Sequence, residues 1–211
     1  MSAALLARPL PVDGAAVIGD TPDILGSIAD PAVQLAVWAR GRPSALDWID
    51  RLEWVGIDDI DTSIAGPDYA TAVHALLGEA GYPQTVQGEA LCAEISDLSE
   101  RFARLMSSKH LRLRLEVIDT DACCKWHMDY VTARLLMSFS GQGTQWTQSH
   151  STGDVRVNQL GCGDVGIFKG RLSVEEPVIL HRSPPVAALG EIRLLCVLDP
   201  LTGAQDRKGR A

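Results

Sequence analysis

In Trp126-His127-Met128-Asp129, two residues that commonly hold metal ions stand two positions apart. In an extended segment, residues i and i+2 project to the same side. A nitrogen of His127 and an oxygen of Asp129 can therefore aim at one point. A third ligand must come from elsewhere, and the candidates are His110, His150 and His181. His110 falls at a helix-to-strand junction, and His150 lies in the polar run Ser149-His150-Ser151-Thr152-Gly153. His181 ends the apolar run Val178-Ile179-Leu180, which carries it inward, and is the best third ligand. Two imidazoles and one carboxylate on one side of an ion leave the opposite positions open, the arrangement of non-haem Fe(II) centres. Zinc or another divalent ion fits the same donors, although zinc more often recruits thiolates or a third histidine. Cys123-Cys124 can add at most one thiolate, because neighbours in an extended chain face opposite ways.

An anion-binding group is the second requirement. Arg193 enters the apolar run Leu194-Leu195-Cys196-Val197-Leu198, where a charge needs a partner. A guanidinium suits a carboxylate through two parallel contacts. A dicarboxylate could chelate the metal at one end and meet Arg193 at the other; Arg134 is the other candidate clamp. Trp126, Tyr130 and Trp146 are candidates for a substrate pocket, against the commoner role of aromatics in packing. A lone His-x-Asp is a weak signal. The competing reading makes His181 a satisfied core histidine and Arg193 an ion-pair partner of Asp164 or Glu191.

These side chains need a scaffold. Residues 1–28 read as an irregular lead-in, and 33–38 as a strand. Helices are expected over 44–52, with Ser44 as N-cap, over 68–80, stopped by Gly81 and Pro83, and over 89–107. In the last, Leu91, Ile95, Leu98, Phe102 and Leu105 recur every three or four residues, which makes one buried stripe. The texture then changes. Leu111-Arg112-Leu113-Arg114-Leu115-Glu116-Val117 alternates as a half-buried strand does. Further short strands are expected over 131–139, 155–157, 164–168, 177–180 and 192–198, split by Gly and Pro, with a turn over 141–144. Such a set points to a barrel or jelly roll. No linker separates the halves, so residues 1–211 read as one domain, mainly helical over 1–109 and a β-barrel core over 110–200.

The 211 residues carry a formal net charge of -8, which disfavours nucleic acid as a partner. No apolar run approaches the ~20 residues that cross a bilayer. The first eleven residues make a poor signal peptide. Five cysteines without paired spacing argue against a disulfide framework. Together these features predict a soluble, cytoplasmic protein; nothing in the sequence sets its oligomeric state.

The order His127-x-Asp129, a strand, Gly163-Asp164-Val165-Gly166-Ile167-Phe168, His181 and Gly190-Glu191-Ile192-Arg193 resembles the core of the 2-oxoglutarate/Fe(II) dioxygenases, closest in style to the prolyl hydroxylases. Within that superfamily, His127-Met128-Asp129, Arg134-Leu135-Leu136 and Gly141-Gln142-Gly143-Thr144-Gln145-Trp146, with His181-Arg182-Ser183-Pro184, resemble the bacterial family called domain of unknown function 1826. Two departures stand out. Arg193 follows the glycine by three residues rather than two, and Pro184-Pro185 stiffens the turn after His181. The resemblance implies an α+β fold in which a double-stranded β-helix (jelly roll) holds the site and N-terminal helices buttress one sheet. It also implies Fe(II) on His127, Asp129 and His181, 2-oxoglutarate as cosubstrate, and hydroxylation of a small molecule or a protein side chain. The rivals are a non-catalytic zinc or divalent-metal-binding protein using the same three ligands, and a cupin-like metal hydrolase or isomerase.

Overall fold

The computed structural model describes residues 10–12, 14–121, 123–148, 156–187 and 190–201. It is a mixed α+β structure. Its organising element is β5 (His110–Ile118), in which Leu111, Leu113 and Leu115 are fully buried while the residues between them are exposed or half-buried. That alternation turns one edge of side chains toward helices and the other toward a second sheet.

β5 lies in an eight-stranded sheet with β1 (Leu10–Val12), β2 (Ala16–Gly19), β3 (Leu35–Trp38), β4 (Ile60–Ala65), β6 (Ala133–Ser140), β9 (Val165–Lys169) and β11 (Arg193–Pro200). The strand order is β1-β2-β3-β9-β6-β11-β5-β4. β2 and β3 pair in parallel, and the other neighbours are antiparallel. A smaller sheet runs β10-β7-β8, from β7 (Gln145–Gln148), β8 (Val157–Gln159) and β10 (Ile179–Arg182). An isolated antiparallel bridge, His127 to His181, adds the His-x-Asp segment to the free edge of β10.

The two faces of the large sheet carry different cores. On one face Leu111, Leu135, Met137, Ile167, Leu194 and Cys196 pack with α2 (Val86–Leu105) and α1 (Tyr69–Glu79). On the other, Leu136, Phe168, Leu195 and Val197 pack with Trp146 and Ile179 of the small sheet. The helical stripe of α2 is seen in Leu91, Ile95, Leu98 and Phe102, all fully buried, while Leu105 at its end is 36% exposed. Each of the four contributes about 1.5–3 kcal/mol by burial. Phe102→Ala would leave a hole worth about 3–5 kcal/mol.

Several boundaries differ from expectation. The lead-in is structured. β2 pairs with β3, and a 3-10 helix spans Pro22–Ala29. Such short pieces between glycines carry no periodicity of their own. β4, expected nowhere, aligns with β5. The segment after Pro43 is a 3-10 helix, Ser44–Arg51, without a side-chain cap from Ser44. α2 begins a turn earlier than predicted, capped by Thr85 Oγ1 accepting from Gln87 N. Gly88 in that first turn reads as a weak helix residue, yet a β-carbon there would lie 1.8 Å from Pro83 O. The close approach, not helix propensity, selects glycine. The expected strand start at Val155 lies outside the described residues; β8 begins at Val157. Among the described residues, no helix is long and apolar enough to cross a membrane.

Candidate metal centre

β10 delivers His181. Alternation along Ile179–Arg182 buries Ile179 and His181 and leaves Leu180 and Arg182 half-covered. His181 is 5% exposed, its ring 4.8 Å from that of Phe168. The His-x-Asp segment is tied to it by the main chain: His127 N donates to His181 O, and His181 N to His127 O, each at 3.0 Å. Alternation then sends His127 and Asp129 to one side and the buried Met128 to the other.

Hydrogen bonds orient the donors. His127 Nδ1 lies 2.8 Å from Lys125 O. A carbonyl only accepts, so Nδ1 carries the proton and Nε2 presents its lone pair. That Nε2 stands 3.7 Å from Asp129 Oδ1. Asp129 Oδ1 is ion-paired with the Arg134 guanidinium, 2.6 Å from Nη1. Asp129 Oδ2 sits 2.9 Å from His181 Nε2. That contact is close but not aligned as a hydrogen bond, and Oδ2 is a buried oxygen without a hydrogen-bond partner. One ligand atom from each of His127, Asp129 and His181 falls within 4.8 Å of the others. A buried, unpartnered carboxylate oxygen facing imidazole nitrogens is the donor set a divalent cation needs. The residues therefore fit the ion.

The electrostatics agree. Burial pushes the Asp129 carboxyl up, but His181, the Arg134 guanidinium and His127 outweigh it and hold it at about 2. Burial pushes the His181 imidazole below its ordinary value, against the opposing pull of Asp129. Both groups are thus in the ligating protonation state at neutral pH.

The centre opens into a cavity of about 410 Å³, whose lining includes Leu136, Thr144, Ser183, Leu195 and Val197. Arg134 also lines it. Its Nε and Nη2 grip Asp199 Oδ1 and Oδ2, each at 2.7 Å, so all three of its nitrogens are held by carboxylates. Arg193 is fully buried just behind the wall. Its Nε donates to Gln142 O at 2.5 Å, Nη1 to the cavity-lining Ser183 Oγ at 3.3 Å, and Nη2 to Ser138 Oγ at 3.2 Å. All three partners are neutral. Burial pulls its pKa down to about 10, with Glu191 and Glu116 opposing from a distance. The ion pairs expected as the alternative are absent: Glu191 takes Gln142, and Asp164 takes the amides of Arg40, Gly41 and Gly161. Gly141, at φ +69, lets this arrangement form, since a β-carbon there would meet Arg193 Cγ at 2.8 Å.

The aromatic candidates lie elsewhere, and none lines the cavity. Tyr130 is 75% exposed. Trp126 lies under the Arg182 guanidinium, 4.3 Å from it. Trp146, opposite His181 in register, is buried in the inter-sheet core. Cys123 and Cys124 are exposed, and only Cys123 reaches the cavity wall. His110 is exposed at the start of β5, and His150 lies outside the described residues. Two participants were missed. Asp199 shares the β11 face of Arg193, Leu195 and Val197, so a period-two reading of that strand carries the signal. Ser183, two residues past His181, is the same case.

The model of a family described as "Protein of unknown function (DUF1826)" matches residues 19–199. The chain belongs to the DUF1826 family. No curated protein matches the DUF1826 chain. Among solved structures, it is similar to a dioxygenase for auxin oxidation from rice (14% identity, 80% of this chain and 74% of that one, TM-score 0.46). It is also similar to a Pseudomonas putida prolyl-4-hydroxylase (12%, 85% and 100%, TM-score 0.47). A third is a Trichoplax adhaerens prolyl hydroxylase in complex with a hypoxia-inducible-factor peptide fragment (9%, 89% and 91%, TM-score 0.48).

Proposed function

We propose that this DUF1826 protein is an Fe(II)- and 2-oxoglutarate-dependent oxygenase of the hydroxylase type, acting on a small molecule or a protein side chain. The observation that carries the reading is the convergence of His127, Asp129 and His181, with Asp129 Oδ2 buried and unpartnered. The scaffold reading is a double-stranded β-helix within a single domain. In its support, the chain from β5 onward alternates between sheets: β5 large, the His127 bridge small, β6 large, β7 and β8 small, β9 large, β10 small and β11 large.

The chain's own contributions follow from position. His127 Nε2, His181 Nε2 and Asp129 Oδ2 would hold the ion from one side, so its remaining positions face the cavity. Once bound, the metal with 2-oxoglutarate and O2 supplies oxidising power, as 2-oxoglutarate loses CO2 to give succinate and one oxygen atom enters the substrate. Ser183 Oγ offers a hydroxyl to the far carboxylate of the cosubstrate, with the Arg193 charge directly behind it. Arg193 is the better clamp of the two arginines, because Arg134 is already shared between Asp129 and Asp199. Leu136, Leu195 and Val197 make an apolar wall that limits water beside the centre.

The test is anaerobic titration of Fe(II)-loaded protein with 2-oxoglutarate, read by visible absorption. A charge-transfer band that saturates with one equivalent is expected. No band, together with tight zinc binding, would refute the oxygenase and leave a metal-binding protein.

A further inference from the structure

We propose that Arg134 is a positioning residue that keeps Asp129 a one-oxygen ligand, by occupying Oδ1 and leaving only Oδ2 for the ion. This inference rests on the reading of the site as an Fe(II)/2-oxoglutarate centre.

The two oxygens of Asp129 have different surroundings. Oδ1 is ion-paired with Arg134, 2.6 Å from its Nη1. Oδ2 is buried and unpartnered beside His181 Nε2. A cation sharing Oδ1 would meet the guanidinium across a single atom, in a site where burial strengthens the repulsion between like charges. The guanidinium cannot swing aside. It projects from β6, and its other two nitrogens are forked onto Asp199, which is 5% exposed on the neighbouring β11. Asp199 also lies 3.9 Å from Arg114 Nη2 on β5, so the restraint spans three adjacent strands.

The coordination count gives the restraint its purpose. Two imidazoles and one carboxylate oxygen fill three of six octahedral positions. A 2-oxo acid that chelates needs two more, and O2 needs the last. If Asp129 chelated through both oxygens, one of those positions would be lost. Arg134 therefore acts on the number of open positions rather than on the cosubstrate directly.

The variants are Arg134→Gln and Asp199→Asn, with Co(II) as probe under anaerobic conditions. In Arg134→Gln, Oδ1 is released and a nearby cation is removed. Co(II) should bind on the order of tenfold more tightly. Its visible absorption per bound ion should fall as the coordination number rises, and 2-oxoglutarate should bind the Co(II) form on the order of tenfold more weakly. This opposition of sign separates positioning from mere structural support, in which both affinities would fall. Asp199→Asn, which weakens the fork that holds the guanidinium, should move the Co(II) spectrum and both affinities in the same direction as Arg134→Gln, by a smaller amount. Equal spectra and affinities in Arg134→Gln and wild type would overturn the inference, as would Asp199→Asn shifting them in the opposite direction.

A crystal structure of Zn(II)-loaded wild-type protein tests the same point without any variant. Oδ2 is expected about 2.0–2.2 Å from the ion with Oδ1 still on Arg134; a chelating Asp129 overturns the inference. Wild-type protein that takes up Co(II) but no 2-oxoglutarate refutes the oxygenase reading, and the crystal structure then judges the Oδ1 assignment alone. Wild-type protein that binds both, with an unchanged Gln variant, refutes only the inference.

Discussion

Arg193→Met separates the needs of binding from those of the fold. The folded protein holds the Arg193 pKa at about 10, against an ordinary 12.5, because burial disfavours the charged form. A lowered value for a base means that its charge costs stability at neutral pH. At about 1.4 kcal/mol per pH unit, the cost here is about 3 kcal/mol. Methionine would remove that cost and lose three hydrogen bonds to neutral acceptors, worth about 1 kcal/mol each. The two effects nearly cancel, so unfolding by urea should place the variant within about 1 kcal/mol of wild type. Cosubstrate binding has no such compensation. Removing the charge behind Ser183 should cost about 3 kcal/mol, roughly a hundredfold in Kd for 2-oxoglutarate. Calorimetric titration of anaerobic, Zn(II)-loaded protein reads that change. A Kd within about threefold of wild type would show that the far carboxylate is held elsewhere.

His127→Ala and His181→Ala should each abolish stoichiometric metal binding in equilibrium dialysis, whereas His150→Ala should retain it; the reverse pattern for the last two would displace His181 as third ligand. Gly88→Ala places a β-carbon 1.8 Å from Pro83 O, so the turn before α2 must move, and chemical denaturation should register a loss of about 3 kcal/mol. A loss under about 0.5 kcal/mol would mean the turn gives freely. In metal-free protein, the Asp129 carboxyl titrates at about 2, below its ordinary 3.8. Its stabilising contribution is therefore complete above pH ~4 and disappears as pH falls toward 2, about 2 kcal/mol in all. Acid denaturation of Asp129→Asn should lack that component, and superposable curves would remove the assignment.

The parts of this molecule legible in the sequence are those with their own periodicity. β5 and the stripe of α2 each repeat a pattern over nine or more residues, and a pattern of that length survives whatever packs against it; β6 and β11 are buried almost throughout and show instead as eight-residue segments rich in apolar side chains. β2, β4 and β7 are short and owe their existence to a neighbour's free edge, which no local window contains. The same division runs through the site. His127 and Asp129 are visible because two residues suffice to express a shared face. Arg134 and Arg193 stand out as charges in apolar strands, but whether each meets carboxylates or hydroxyls depends on Asp199, Ser138 and Ser183 arriving from other strands.

The paired main-chain bonds between positions 127 and 181 have a consequence for the life of the bound ion. They join two segments 54 residues apart in the chain through main-chain groups alone, so the long loop between them is closed by bonds that need no ion. Stripping the ion with a chelator should leave a folded, reloadable protein, unlike small domains whose polypeptide collapses only around its zinc.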